Sequence, residues 1–245
     1  MTKQERAMNT RHALIRSAAQ AFDQHGYTRA KLSAISAGAG VSSGALHFHF
    51  DTKAAMAAAV ETEATRTLHA ITRNIQRKSV SPLQTLIDTT HAIAEQLRWD
   101  VVTRAGFRLN CRPSHTDPDS GPRPDLRAQW HTYVTYTLTQ AAQQHTTHPS
   151  LTPRQLTTTI VGATAGFEAL ARQNHQWLSH TTVTTLWQTL LPTLATPSHL
   201  PQLLPGGTHT PTHPSAPVAA TTAAPEAAAP VVSLAAVPVP VPVPS

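Results

Sequence analysis

Apolar side chains recur along this chain at three- and four-residue intervals, the period of a helix with one buried stripe. Thr10 can cap a helix over Arg11 to His25, with Leu14, Ile15, Ala18, Ala19 and Phe22 as its stripe and Gly26 as its stop. Residues 1–9 read as a polar, basic arm. Leu32, Ile35 and Ala39 mark a short second helix, broken at Gly40-Val41. Ser42 or Ser43 then caps a third, with Leu46, Phe48 and Phe50 along it. The expected core of these three helices is Leu14, Ala18, Phe22, Leu32, Ile35, Val41, Leu46 and Phe50. A long helix follows from Thr52-Lys53 to about Arg77, buried along Met56, Val60, Leu68, Ile71 and Ile75.

Further helices are expected from Ser81-Pro82 to Trp99, where Pro82 suits a first helical position, and from Asp100 to Cys111. Residues 112–124, RPSHTDPDSGPRP, read as a turn-rich loop. Helices resume over Asp125–Gln144, Pro153–Trp177 and Thr181–Ala195. From Pro197 the composition shifts to Pro, Ala, Thr and Val and ends in VPVPVPVPS, which reads as disordered or polyproline-like chain. The fold class is all-α. Its divisions are a helix-turn-helix domain over residues 1–52, a ligand-binding and dimerisation domain over 53–196, and a tail over 197–245.

Charge separates the first of these from the rest. Residues 1–78 hold eleven Lys/Arg against five Asp/Glu, while the remainder holds eight of each. A basic end beside a neutral remainder fits phosphate binding at one end and another task at the other. With one cysteine, Cys111, no intrachain disulfide can form. The N-terminus lacks the apolar core of a secretory signal, and no stretch is long and apolar enough for a membrane span. A cytoplasmic protein without a membrane role is expected.

Residues 31–53, KLSAISAGAGVSSGALHFHFDTK, carry the chemistry. Two short helices joined by a Gly-bearing turn form either a DNA-reading helix-turn-helix or an ordinary helical hairpin. In the first reading Ser42, Ser43, Gly44 and Ala45 present a small surface to a duplex, with hydroxyls for phosphate or base and a methyl for thymine. Thr28 and Lys31 flank it as phosphate contacts. His47 and His49 are either contacts or surface packing. They do not form a metal pair, because residues two apart diverge on a helix.

AISAGAGVSSGALHFHFDTKAAM resembles the signature of the tetracycline-repressor (TetR) family, with turn, cap, aromatics and lysine in register. The resemblance implies a DNA-binding, ligand-released repressor that dimerises through its last two helices and pairs two recognition helices on a palindromic operator. By its pattern His47 stands where tyrosine usually contacts the backbone, Lys53 matches a phosphate-anchoring lysine, and Lys31 replaces the common capping Thr. GALHFHF, RAGFRLN and Trp130 resemble more narrowly the branch receiving γ-butyrolactone-type signals, including butenolide and furan-carboxylate receptors that control antibiotic synthesis. That implies ligand contacts at Trp130 and Thr164, and leaves Ala64 where some receptors carry a ligand-facing Gln. Trp130 and Tyr133 with Thr164, Arg104, Phe107, Arg108 and Asn110 suit an apolar slot with a few placed polar groups. Arg104, Arg108 and Asn110 would meet a lactone carbonyl or a carboxylate.

Three alternatives stand beside this. Trp130 can be plain core. The protein can be a receptor-like relative without a signal, or one responding to the antibiotic itself. It can be an all-helical enzyme, although no nucleophile elbow, zinc-protease, Walker or dinucleotide motif is present and Asp88 with His91 reads as an ordinary exposed pair. No catalytic residue, cofactor or metal site is expected.

Overall fold

The computed structural model describes residues 2–79, 81–111 and 123–208. In order the α-helices are α1 Lys3–Arg29, α2 Leu32–Gly38, α3 Ser43–His49, α4 Lys53–Lys78, α5 Pro82–Trp99, α6 Val101–Asn110, α7 Leu126–Gln143, α8 Pro153–Leu170 and α9 His180–Leu194. Most of the loop expected over 112–124, and the tail beyond residue 208, lie outside the described residues.

Local chemistry sets most boundaries. Thr52, Asp100, Asp125, Thr152 and Ser179 each accept a backbone N–H at the start of a helix, satisfying donors that have no partner within it. Three boundaries depart from the sequence expectation. Helix α1 begins at Lys3, because Thr2 and Glu5 form a reciprocal capping box that continues the helix through the expected polar arm. At the other end Gly26, at φ 73°, kinks the helix rather than stopping it. Helix α8 ends at Leu170; Asn174 then caps a separate 3-10 turn over His175–Leu178.

Two apolar cores result. One gathers Leu14, Ala18 and Phe22 of α1 with Ile35, Leu46 and Phe50, and also takes Met56 and Val60 from α4 and Ala105 and Leu109 from α6. Leu32 and Val41, expected inside it, are only partly buried at its edge. The other core collects α5, α7, α8 and α9 with Ala64 and Leu68 of α4 and Phe107 of α6. Helices α4 and α6 therefore serve both cores, so the N-terminal core extends physically past residue 52.

Close approach joins those two helices. A Cβ on Gly106 would lie 2.4 Å from the Cβ of Ala64 and 3.5 Å from the Val60 carbonyl. One turn away, Glu61 is fully buried and is met by Arg123, whose Nε lies 2.9 Å from Oε2. The same guanidinium donates to the Leu109 carbonyl at 2.8 Å, tying α4 to the end of α6. Its bond to Glu61 raises the Arg123 pKa further above its ordinary value. A buried carboxylate needs such a partner, and removal of either member leaves an uncompensated charge.

Residues 197–208, expected as the start of the tail, are built into the fold. Gln84 bonds the backbone of Leu204 through both amide atoms, at 2.8 and 3.3 Å. Asp88 accepts from the Thr208 amide at 2.8 Å and its hydroxyl at 2.6 Å. His91 and His180 reach the Pro205 and Gly206 carbonyls, with their rings 4.6 Å apart. Gly207 adopts φ 78°, which L side chains rarely take, and a Cβ there would press on Asp88 Oδ1 and the His91 ring at 3.3 Å. Asp88 is thus buried and His91 half-buried, not an exposed pair. The sequence reading failed because both partners lie about 120 residues away.

Two outcomes are expected. Gly106→Ala should destabilise the protein by about 1–3 kcal/mol through overpacking, while Gly44→Ala, with only open space and Ser42 Oγ at 3.9 Å around it, should stabilise α3 by up to about 1 kcal/mol; urea denaturation measures both. Burial, joined by the neighbouring His180, lowers the His91 pKa from 6.5 against the opposing pull of the Pro205 carbonyl and Asp88. The unfolded chain then binds more protons at this site, so its contribution holds above about pH 6.5 and is lost as pH falls below that value. Urea midpoints between pH 7.5 and 5.5 should drop more for the native protein than for His91→Gln.

Candidate nucleic-acid interface and ligand cavity

The turn between α2 and α3 closes through Gly40 at φ 68°, with Val41 N donating to the Ser36 carbonyl at 3.0 Å. Ser17 Oγ donates to the Ile35 carbonyl at 2.8 Å, and a Cβ on Gly38 would meet that hydroxyl at 2.6 Å, so α2 lies hard against α1. Helix α3 is anchored by buried Leu46 and by Phe50 at its end, which Arg11 covers at 5.1 Å. That anchoring turns the rest of α3 outward.

Ser42 accepts from the Ala45 amide at 3.1 Å, so its oxygen caps the helix while its hydroxyl proton stays available. Ser43, Gly44 and His47 are exposed; Ala45 and His49 are half-buried. Phe48, which the sequence reading assigned no role, is 82% exposed and stands edge-on to His49 at 5.2 Å. Its orientation was available from the pattern: with Leu46 and Phe50 inward, the residue midway points away. Lys31 caps α2 without a side-chain bond. Lys53 donates to the Thr28 carbonyl at 3.0 Å and lies 4.8 Å over the Tyr27 ring, which fixes its ammonium beside the exposed Thr28. Ser43, Gly44, His47 and Phe48 are therefore exposed together on α3, while Thr28 and Lys53 are held together by their own bond.

In the second core a cavity of about 100 Å³ is lined by Thr90, Ile93, Leu97, Phe107, Trp130, Thr164 and neighbours, almost wholly apolar. Trp130 Nε1 donates to Thr164 Oγ1 at 2.9 Å, and Thr164 donates onward to the Ile160 carbonyl at 2.8 Å. Tyr133 stacks on Trp130 at 5.8 Å and bonds Thr89 through its hydroxyl at 2.9 Å; burial raises its phenol pKa and keeps it neutral. Beyond the indole lies a wider cleft of about 560 Å³ between α4 and α7, bordered by Leu68, His69, Gln129, Trp130, Tyr133 and Tyr136. The Gln129 Oε1 atom is buried with no hydrogen-bond partner among the described residues. Trp130 is the wall these two spaces share.

Three of the sequence candidates lie elsewhere. Arg104 donates to Asp23 of α1 at 2.9 Å and to the Leu97 and Arg98 carbonyls, and Arg108 also reaches Asp23. Asn110 donates to the Pro124 carbonyl at 2.5 Å and accepts the Leu126 amide at 3.0 Å, closing the start of α7. Ala64 is packed under Gly106, away from the cavity lining. Phe107, Trp130 and Thr164 are brought together, with Tyr133 behind them. Sequence reasoning missed the α5 wall and the Arg127–Glu168 pair at 2.5 Å, which no local motif announces. Among the described residues no group of three or more His, Cys, Asp or Glu could hold a metal ion, and no helix is long and apolar enough to cross a membrane.

Residues 14–60 match the model of the bacterial regulatory proteins of the tetR family. The chain is 30% identical over 208 residues to the A-factor receptor protein of Streptomyces griseus, covering 84% of this chain and 71% of that one. The chain belongs to the tetR family. Its fold is similar to that of a γ-butyrolactone receptor described as ArpA-like, with a TM-score of 0.67, 27% identity, and coverage of 80% and 93% of the two chains. It is equally similar to CprB of Streptomyces coelicolor solved with its operator sequence: TM-score 0.67, 27% identity, coverage 80% and 94%. Membership fits the geometry, since the matched segment runs from within α1 into α4 and includes the turn and the outward side of α3.

Proposed function

We propose that the protein is a homodimeric, cytoplasmic DNA-binding repressor, released from a palindromic operator by a small amphiphilic signal held behind Trp130. The observation that carries this reading is the pairing, in one tetR-family chain, of an outward, exposed side of α3 with an apolar cavity closed by a hydrogen-bonded tryptophan. The resemblance to an A-factor receptor and a γ-butyrolactone receptor supports a lactone, butenolide or furan-type signal and control of antibiotic genes. The resemblance to CprB with its operator supports a DNA target. No catalytic role is assigned to any residue.

On DNA, Ser43, Gly44, Ala45 and Phe48 would face base edges, and Thr28, Lys31, Ser42, His47, His49 and Lys53 would hold the backbone. The cavity of about 100 Å³ is smaller than the ~300 Å³ or more that ordinary ligands occupy. A signal therefore enters by swinging the indole from Thr164 and joining the inner space to the outer cleft. Phe107 of α6 lines that space, and its neighbours Ala105 and Leu109 belong to the DNA-reading core. Filling the cavity then displaces α6, and α4 with it, against α1 and resets the recognition helices. Release requires that the signal bind the DNA-incompetent arrangement more tightly.

Fluorescence anisotropy on DNA from upstream of the protein's own gene, with butyrolactone, butenolide and furan-carboxylate compounds, tests this. The expected result is tight, salt-sensitive binding reversed by one compound class. Lys53→Ala should weaken binding and lower the salt slope by about one per monomer. Trp130→Ala should keep operator affinity and lose release. Binding that no class reverses would identify a receptor-like relative without such a signal; equal loss of binding and release in Trp130→Ala would make the tryptophan structural.

A further inference from the structure

Where α6 passes between α1 and the end of α8, Asp23, Arg104, Arg108, Glu168 and Arg172 surround a second cleft of about 110 Å³, with His175 at its rim. Its ion pairs do not balance. Asp23 is shared by Arg104, at 2.9 Å, and Arg108, at 3.7 Å. Glu168 is shared by Arg127, at 2.5 Å, and Arg172, at 3.1 Å. Two carboxylates thus serve four guanidiniums.

The four arginines differ in how fully they are engaged. Arg104 is the most enclosed, bonded to Asp23 and to two carbonyls of the α5 end. Arg127 pairs with Glu168 from the side of the apolar cavity. Arg108 reaches Asp23 through Nη1, and its side chain stays 40% exposed. Arg172 is 39% exposed, and the nitrogen that meets Glu168 has as its other partner the Cys111 sulfur at 3.2 Å, a weak acceptor. Arg108 and Arg172 therefore bring donor capacity and excess charge to the same small concavity. A guanidinium is planar, always charged, and matches the geometry of carboxylate and phosphate oxygens.

We propose that this cleft is an oxyanion site, in which a carboxylate or phosphate group binds between Arg108 and Arg172 and competes with Asp23 for the α6 arginines. Asp23 is the acid through which α1, the first helix of the DNA-reading body, is tied to α6. Occupation of the cleft loosens that tie and lowers operator affinity. The binding claim stands on the cleft alone; the effect on DNA rests on the repressor reading. The site is separate from the signal cavity, although Leu97, Glu168 and Leu178 form a wall common to both.

The full-length protein would be titrated with sodium acetate, sodium phosphate and neutral acetamide, with ionic strength matched by sodium chloride, while the arginine Nε–H signals are followed by NMR. The expected result is a saturable shift of the Arg108 and Arg172 signals by acetate or phosphate and none by acetamide; which of the two acts identifies the head group. Arg172→Gln, which leaves the tie to α1 intact, should weaken that binding about tenfold, the loss of one charge-assisted pair. Glu168→Gln should tighten it by removing a competing carboxylate. No saturable response beyond matched chloride, or titrations of both variants like the native protein, would overturn the site. In anisotropy at matched ionic strength, the bound anion should lower operator affinity in the native protein and not in Arg172→Gln. Anion binding with operator affinity unchanged would overturn the coupling, whereas a protein that binds no operator even in chloride would instead overturn the repressor reading.

Discussion

Where α4 crosses α6, packing and charge hold the two helices together. Gly106 against Ala64 lets the two backbones approach until a single methyl group would collide. The buried Glu61–Arg123 pair, bonded onward to the Leu109 carbonyl, fixes their relative position by charge. Close packing and a buried ion pair fail in different ways, one through volume and the other through uncompensated charge. Together they make α4 and α6 move as one unit.

That unit has a face in each core. Met56, Val60, Ala105 and Leu109 pack with α1, α2 and α3, while Ala64, Leu68 and Phe107 pack with α5, α7, α8 and α9. Phe107 also lines the apolar cavity, and Arg104 and Arg108 on the same helix hold Asp23 of α1. One short helix therefore touches both the apolar cavity and the core shared by α1, α2 and α3. Because packed interiors have few alternative arrangements, a displacement at Phe107 is passed on rather than absorbed. The ordered segment up to Thr208 braces the other side, joining α5 to the start of α9 through Gln84, Asp88, His91 and His180.

Much of this was legible in the sequence where the determinants are local. Helical periodicity and capping residues set α4 to α7 almost to the residue, and Gly40 with Leu46 and Phe50 gave the turn and the inward side of α3. Trp130, Thr164 and Phe107, candidates for an apolar slot, line one cavity. Contacts over long separations were not legible. Arg104 and Arg108 read as ligand donors because nothing in RAGFRLN announces Asp23, some 80 residues earlier. Asp88 and His91 read as exposed because their partners sit beyond Pro197. Thr2 and Glu5 were a missed local signal, since the capping box was present in the first five residues.

On the proposed mechanism, a signal in the cavity changes the spacing of the two recognition helices through α4 and α6. Pulsed electron spin resonance between nitroxides on His25→Cys of the two protomers, in a Cys111→Ser background, reports how far the two α1–α3 bodies stand apart. The account predicts one distance distribution on operator DNA and a shifted one when the releasing compound saturates the protein. An unchanged distribution, with the operator nonetheless released, would contradict it.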